Sequence, residues 1–75
     1  HYDEAYELYM KAAGINENEF TTPMYLFKAG LCAEKMKKYE DASSCYTKIK
    51  DDYATFSSQK NIEKYEARAF NKIKK

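Results

Sequence analysis

The sequence predicts an all-α fold of antiparallel helix pairs stacked on one another. Three observations predict it. Only two Gly and one Pro occur in 75 residues, too few for the frequent turns of an all-β chain. Apolar residues recur at helical spacing in four separate segments. The segments also repeat: Tyr2-Asp3-Glu4-Ala5 matches Tyr39-Glu40-Asp41-Ala42, Tyr9 matches Tyr46 and Lys11 matches Lys48, all at a step of 37, while Leu26 with Ile62 and Ala33 with Ala69 repeat at a step of 36. A fixed period of this size in helix pairs is the mark of a stacked helical repeat.

The first segment runs from about Tyr2 to Ala13, with Ala5, Leu8, Tyr9 and Ala12 as its apolar stripe. Asp3, Glu4 and Glu7 occupy its early turns, where the helix dipole favours negative charge. Gly14 is placed to stop it in the left-handed conformation, and Ile15 to Thr22 reads as a polar loop. The second segment runs from Pro23 to about Lys37, with Thr22 as N-cap and Pro23 at the first helical position. It carries two stripes: Leu26, Ala29, Gly30 and Ala33, and beside them Met24, Phe27 and Leu31. A helix apolar on two sides packs on two sides, which makes this one the expected centre of the chain.

The third segment follows the short turn at Lys37-Lys38 and runs from about Tyr39 to Asp52. Ala42, Cys45, Tyr46, Ile49 and Tyr53 form its inner face, and so short a connection makes the second and third helices an antiparallel pair. The fourth segment runs uninterrupted from about Ser58 to Lys74. Its stripe is Ile62, Tyr65, Ala69 and Ile73, and Lys60, Lys64, Arg68 and Lys72 form a basic ladder on another face. That ladder reads as a solvated face, or in a sharper reading as a contact for phosphate or an anionic membrane.

The residues Leu26, Ala29, Gly30 and Ala33 on one helix, with Tyr39, Ala42 and Tyr46 on the next, resemble the signature of the tetratricopeptide repeat. That family's helix–turn–helix unit is about 34 residues long, and the loop at Phe20-Thr21-Thr22 can hold the three extra residues of the step. The resemblance implies a right-handed α-solenoid fragment spanning 1–75 as a single domain. Residues 1–14 would be the second helix of a preceding repeat, 23–54 one complete repeat and 57–75 a capping helix. Gly30 and Ala42 would stand where the paired helices cross most closely. Glu66, in the place equivalent to Gly30, implies that no further repeat packs on the last helix. Lys37 and Ala54 stand where the family often has glycine and proline. The run Asn61 to Tyr65, with Ala67-Arg68-Ala69 after it, resembles the C-terminal ends of repeat proteins from Bacteroidetes bacteria. Several such relatives carry an N-terminal membrane anchor, which would place a longer parent chain at the bacterial inner membrane.

The chemistry-bearing signals are sparse. Lys+Arg number 13 and Asp+Glu 12, for a net charge of +1, so neither a strongly basic nucleic-acid binder nor an acidic tail is expected. No phosphate loop, nucleophile elbow or metal-binding helix pattern occurs, and the single histidine, His1, is at the terminus. Two cysteines, Cys32 and Cys45, with that one histidine cannot make a four-ligand zinc site. Both read as free thiols, Cys45 buried, although one disulfide remains an alternative. The longest uncharged stretch, Phe20 to Phe27, is far short of the roughly 20 residues that span a bilayer. His1 followed at once by an amphipathic run reads as a cut end.

Function is therefore expected to be non-catalytic, with no cofactor and no metal. In one reading the chain is a protein-interaction module. The family resemblance then implies a peptide groove lined by Met24, Phe27, Leu31, Glu34 and Lys35, with Phe27 as anchor. In the alternative the chain caps a longer array or drives self-association, and the same stripe packs against the array. A chain this short buries only about 60% of its unfolded surface and usually needs a neighbour. Tyr2, Tyr6, Tyr9 and the stripe on the second helix are the expected exposed apolar surface.

Overall fold

The computed structural model describes residues 1–74; the last residue of the expected 57–75 helix lies outside them. The described residues form five helices and no strand: α1 (Tyr2–Ile15), α2 (Thr21–Lys35), α3 (Tyr39–Asp52), α4 (Ala54–Lys60) and α5 (Ile62–Ile73). Each helix packs on the next, α1 on α2 and α2 on α3, and α3 also takes both α4 and α5. The Cα atoms fill 35 × 28 × 14 Å. The shortest dimension is that of two helix layers, since axes about 9 Å apart with backbone radii of about 2.3 Å span about 14 Å.

The centre is shared by α2 and α3. Of the two stripes expected on α2, Leu26, Ala29, Gly30 and Ala33 are buried, while Met24, Phe27 and Leu31 are half-buried. On α3, Ala42, Tyr46 and Ile49 are wholly buried and Cys45 nearly so. Side chains of all four other helices reach the α3 core: Tyr6 and Met10 of α1 lie at Cys45, and Phe56 of α4 packs against the same cluster. Tyr46 sits in the middle. Adding a Cβ at Gly30 would place it 2.5 Å from the Cε1 of Tyr46, so only glycine lets the ring lie flat on α2.

Four helix boundaries differ from the sequence reading, each for a local reason. Gly14 does not stop α1: it has ordinary helical φ, no atom within 4 Å of its missing Cβ, and the helix continues to Ile15. The start of α2 is set by Asn18 instead of Thr22. Its Oδ1 accepts from the backbone N–H groups of Phe20 (2.9 Å) and Thr21 (2.7 Å), so the helix begins two residues before Pro23. Thr22 is buried and joins α1 to α2: its Oγ1 accepts from the Asn18 N–H (2.9 Å) and donates to the Ala13 carbonyl (3.4 Å). At the other end α2 stops at Lys35, closed by a Schellman motif. Lys38 N–H donates to the Ala33 carbonyl (2.8 Å), Lys37 N–H to that of Glu34 (3.0 Å), and Lys37 takes φ 61°, as glycine would.

The fourth boundary concerns the expected single helix from Ser58 to Lys74. It begins earlier, at Ala54, and breaks in two at Asn61, which adopts the left-handed conformation (φ 55°, ψ 53°). Asparagine tolerates that region better than other residues with a Cβ, so the break needs neither glycine nor proline. The offset brings Ile62 and Ala69 of α5 fully into the core beside α3.

Candidate functional site

The residues expected to line a groove are all on α2, but they do not share one environment. At 100° per residue, Met24, Leu31 and Lys35 fall on the side of the helix away from α3, and Phe27 and Glu34 flank it. Phe27 packs edge-on against Tyr65 of α5 (ring centroids 5.0 Å apart) and lies 6.2 Å from Tyr46 and 6.3 Å from Phe56. It thus belongs to an aromatic cluster joining α2, α3, α4 and α5. Beside it, Glu34 accepts three hydrogen bonds. Two come from the Arg68 guanidinium, Nε to Oε2 at 2.9 Å and Nη2 to Oε1 at 2.7 Å, and one from the Tyr46 hydroxyl at 2.6 Å. Such a two-pronged Arg–carboxylate pair fixes geometry as well as charge.

The electrostatics follow from these contacts. Burial pushes the Glu34 carboxyl upward, but the hydrogen bonds from Arg68 and Tyr46 and the Arg68 charge outweigh it and hold the group below the usual carboxylate range. Burial, then the Glu34 hydrogen bond and charge, raise the Tyr46 phenol far above its ordinary value. The basic ladder is broken by the same contacts. Arg68 turns to Glu34 and stacks its guanidinium 5.0 Å from the centre of the Tyr65 ring, and Lys60 lies on α4, beyond the Asn61 break.

Glu66, in the place equivalent to Gly30, faces α3. It accepts from the Thr47 hydroxyl (2.5 Å) and from Lys50 Nζ (2.9 Å), and the Thr47 hydrogen bond, against some burial, keeps its carboxyl below the usual range. Among the described residues no buried side-chain polar atom lacks a partner, and no group of His, Cys, Asp and Glu is placed to hold a metal. Both cysteines are free thiols. Cys45 is buried between Met10, whose Sδ it reaches at 3.8 Å, and Tyr6, and burial pushes its thiol up to about 11, which suits a packing residue and not a nucleophile.

The exposed apolar surface is only partly where expected. Tyr2 is exposed, but Tyr6 packs against the α3 core and Tyr9 stacks on Tyr25 at 6.3 Å. Leu8, assigned to the inner stripe of α1, is 66% exposed, and Ile15 is 68% exposed on the same side. The inward side of α1 is Tyr6, Tyr9 and Ala13, of which only Tyr9 belonged to the expected stripe. Phe20, before α2, is 81% exposed beside Phe56, Thr55 and Gln59. No described helix is long and apolar enough to cross a membrane. Comparison with known proteins finds no matching family, curated protein or solved structure.

Proposed function

We propose that this chain is a non-catalytic protein-interaction module, a tetratricopeptide-like scaffold whose helices form a right-handed stack ending at α5. The observation that carries the reading is the apolar surface the chain leaves uncovered while its buried polar groups are paired. Leu8, Ile15 and Phe20 are each two-thirds exposed or more, and Met24 and Leu31 lie half-exposed along α2 with Lys35 at their end. Surface of this kind on a small helical protein is bought back by a protein partner. The close seat of Tyr46 on Gly30 and the packing of each helix on the next along the chain support the repeat architecture.

Within the groove, Met24, Leu31 and Lys35 are the positions open to a peptide. Phe27 supports them from beneath as part of the aromatic cluster, and Glu34 is held by Arg68. A short peptide selected from a random library should lose about tenfold in affinity when Met24 and Leu31 are both changed to Ala, with helical circular dichroism unchanged. Phe27→Ala should instead lower stability, by about 2 kcal/mol. Selected peptides that bind the double variant as well as the parent chain would overturn the groove. The second reading, a structural cap or self-associating segment, is favoured by the commitment of Phe27 and Glu34 to internal contacts.

A further inference from the structure

The last helix is held in its seat by many contacts and joined to the rest of the chain through one residue. α5 packs along α3, with Ile62 and Ala69 wholly buried. Tyr65 lies edge-on to Phe27, Arg68 forks onto Glu34, and Glu66 takes the Thr47 hydroxyl and the Lys50 ammonium. α4, its neighbour in sequence, touches α5 far less than α3 does. Asn61 alone links the two, in the left-handed conformation (φ 55°, ψ 53°).

A second conformation is open to the same stretch. Ala54 to Ile73 contains neither glycine nor proline, and the residues from Ser58 onward read as one helix in the sequence. The left-handed region is the costlier one for a residue with a Cβ, and no described side chain caps the amide groups that the break leaves at the start of α5. With Asn61 helical, those amides would meet carbonyls one turn earlier, and Ala54 to Ile73 would form a single rod about 30 Å long. The angles of Asn61 would change by about 120° in φ and about 100° in ψ. α5 then cannot keep its seat on its own α3 while α4 keeps its place.

We propose that α5 is exchanged between two copies of this chain. Asn61 straightens, α4 stays on its own α3, and α5 fills the seat on the second copy, which returns its own α5. The seat itself selects the occupant. Every contact that holds α5 within one copy is made again between copies, so the fit needs no new surface, and the backbone changes only at Asn61. Such an exchange closes on a two-fold axis and gives a dimer, not an open series. It goes beyond the interaction-module reading, because Met24, Leu31 and Lys35 take no part in it.

Two sets of variants test the exchange by sedimentation of the 75-residue chain. As concentration rises, the parent should pass from monomer to dimer and stop there. Asn61→Ala, which favours the straight hinge, should raise the dimerisation constant at least about tenfold, since each dimer straightens two hinges. Asn61→Gly, at ease in the left-handed region and poor in a helix, should lower it. In the second set, Glu34→Arg and Arg68→Glu each spoil the Glu34–Arg68 contact, both within one copy and in a dimer of like chains. An equimolar mixture restores it twice, because each α5 then crosses to a copy of complementary charge. The mixture should dimerise at least about tenfold more tightly than either variant alone. A mixture that associates no better than its components would overturn the exchange, and so would Asn61 variants that dimerise alike. A parent and an Asn61→Ala variant both monomeric at millimolar concentration would overturn it as well. If a charge variant alone loses its helical circular dichroism, the order of the Asn61 series decides. Peptide binding at Met24 and Leu31 is read separately: its absence beside a dimer overturns the proposed function and leaves the exchange standing, and its presence beside a chain that stays monomeric does the reverse.

Discussion

The two glycines show how one residue type answers to two environments. Gly30 is buried with the Tyr46 ring against it, and a Cβ there would come within 2.5 Å of Cε1 and 2.9 Å of Cζ. Tyr46 cannot swing away, because its hydroxyl is held by Glu34 and its ring is wholly buried. Gly30→Ala should therefore destabilise the chain by about 1–3 kcal/mol through overpacking. Gly14 is helical, exposed and clear of neighbours, so its flexibility only raises the entropy lost on folding. Gly14→Ala should stabilise by about 0.5–1 kcal/mol. Thermal unfolding of both variants checks the pair, and a shift of the same sign in each would mean that Gly30 is not seated on Tyr46. The role of Gly30 was legible from its place between Leu26, Ala29 and Ala33 on one stripe. That of Gly14 was not, because a glycine near a helix end has the same sequence signal whether it stops the helix or lies inside it.

At the scale of elements, the segments with a wide apolar stripe were legible and their ends were not. The bounds of α3 came from Tyr39 and Asp52 alone, since acids at its start and lysines toward its end agree with the apolar spacing. The start of α2 was missed because Asn18 acts through hydrogen bonds two and three residues on, across a loop with no apolar period. The α4–α5 break was missed because Asn61 sits in a run whose 3.6-residue period passes through it unchanged, while the backbone turns left-handed there. The groove residues were found on one helix, but whether Phe27 faces a ligand or a neighbour depended on where α5 lands, and the break decides that. The break can be tested directly. Asn61→Ile places a β-branched side chain in the left-handed region and should cost about 1–2 kcal/mol, whereas Asn61→Gly should be neutral or mildly stabilising. An Asn61→Ile variant more stable than Asn61→Gly by urea unfolding would instead show a continuous helix from Ala54 to Ile73.

For the whole molecule, the last helix is pinned from two sides by carboxylates. Glu34 on α2 holds Arg68 of α5, and Glu66 of α5 holds Thr47 and Lys50 of α3. Both carboxyls lie below the ordinary glutamate value of 4.5, Glu34 in spite of its burial and because of Arg68 and Tyr46, Glu66 chiefly because of Thr47. The folded chain thus binds protons at these sites less readily than the unfolded chain. The stability they add is complete above about pH 4.5 and is lost as pH falls through the lowered folded values. Urea midpoints should be flat near neutrality and decline below that point. The Glu34→Gln, Glu66→Gln double variant should be less stable than the parent at pH 7 and should show a shallower acid decline, so that the two curves converge at low pH. Amide hydrogen exchange adds a spatial readout: on acidification, protection in Ile62–Ile73 should fall before protection in Tyr39–Asp52, because α3 keeps Tyr46 and Ile49 in the core when the carboxylate links open. Parallel acid curves for parent and double variant, or simultaneous loss of protection in α3 and α5, would show that the stack is held by its apolar contacts alone.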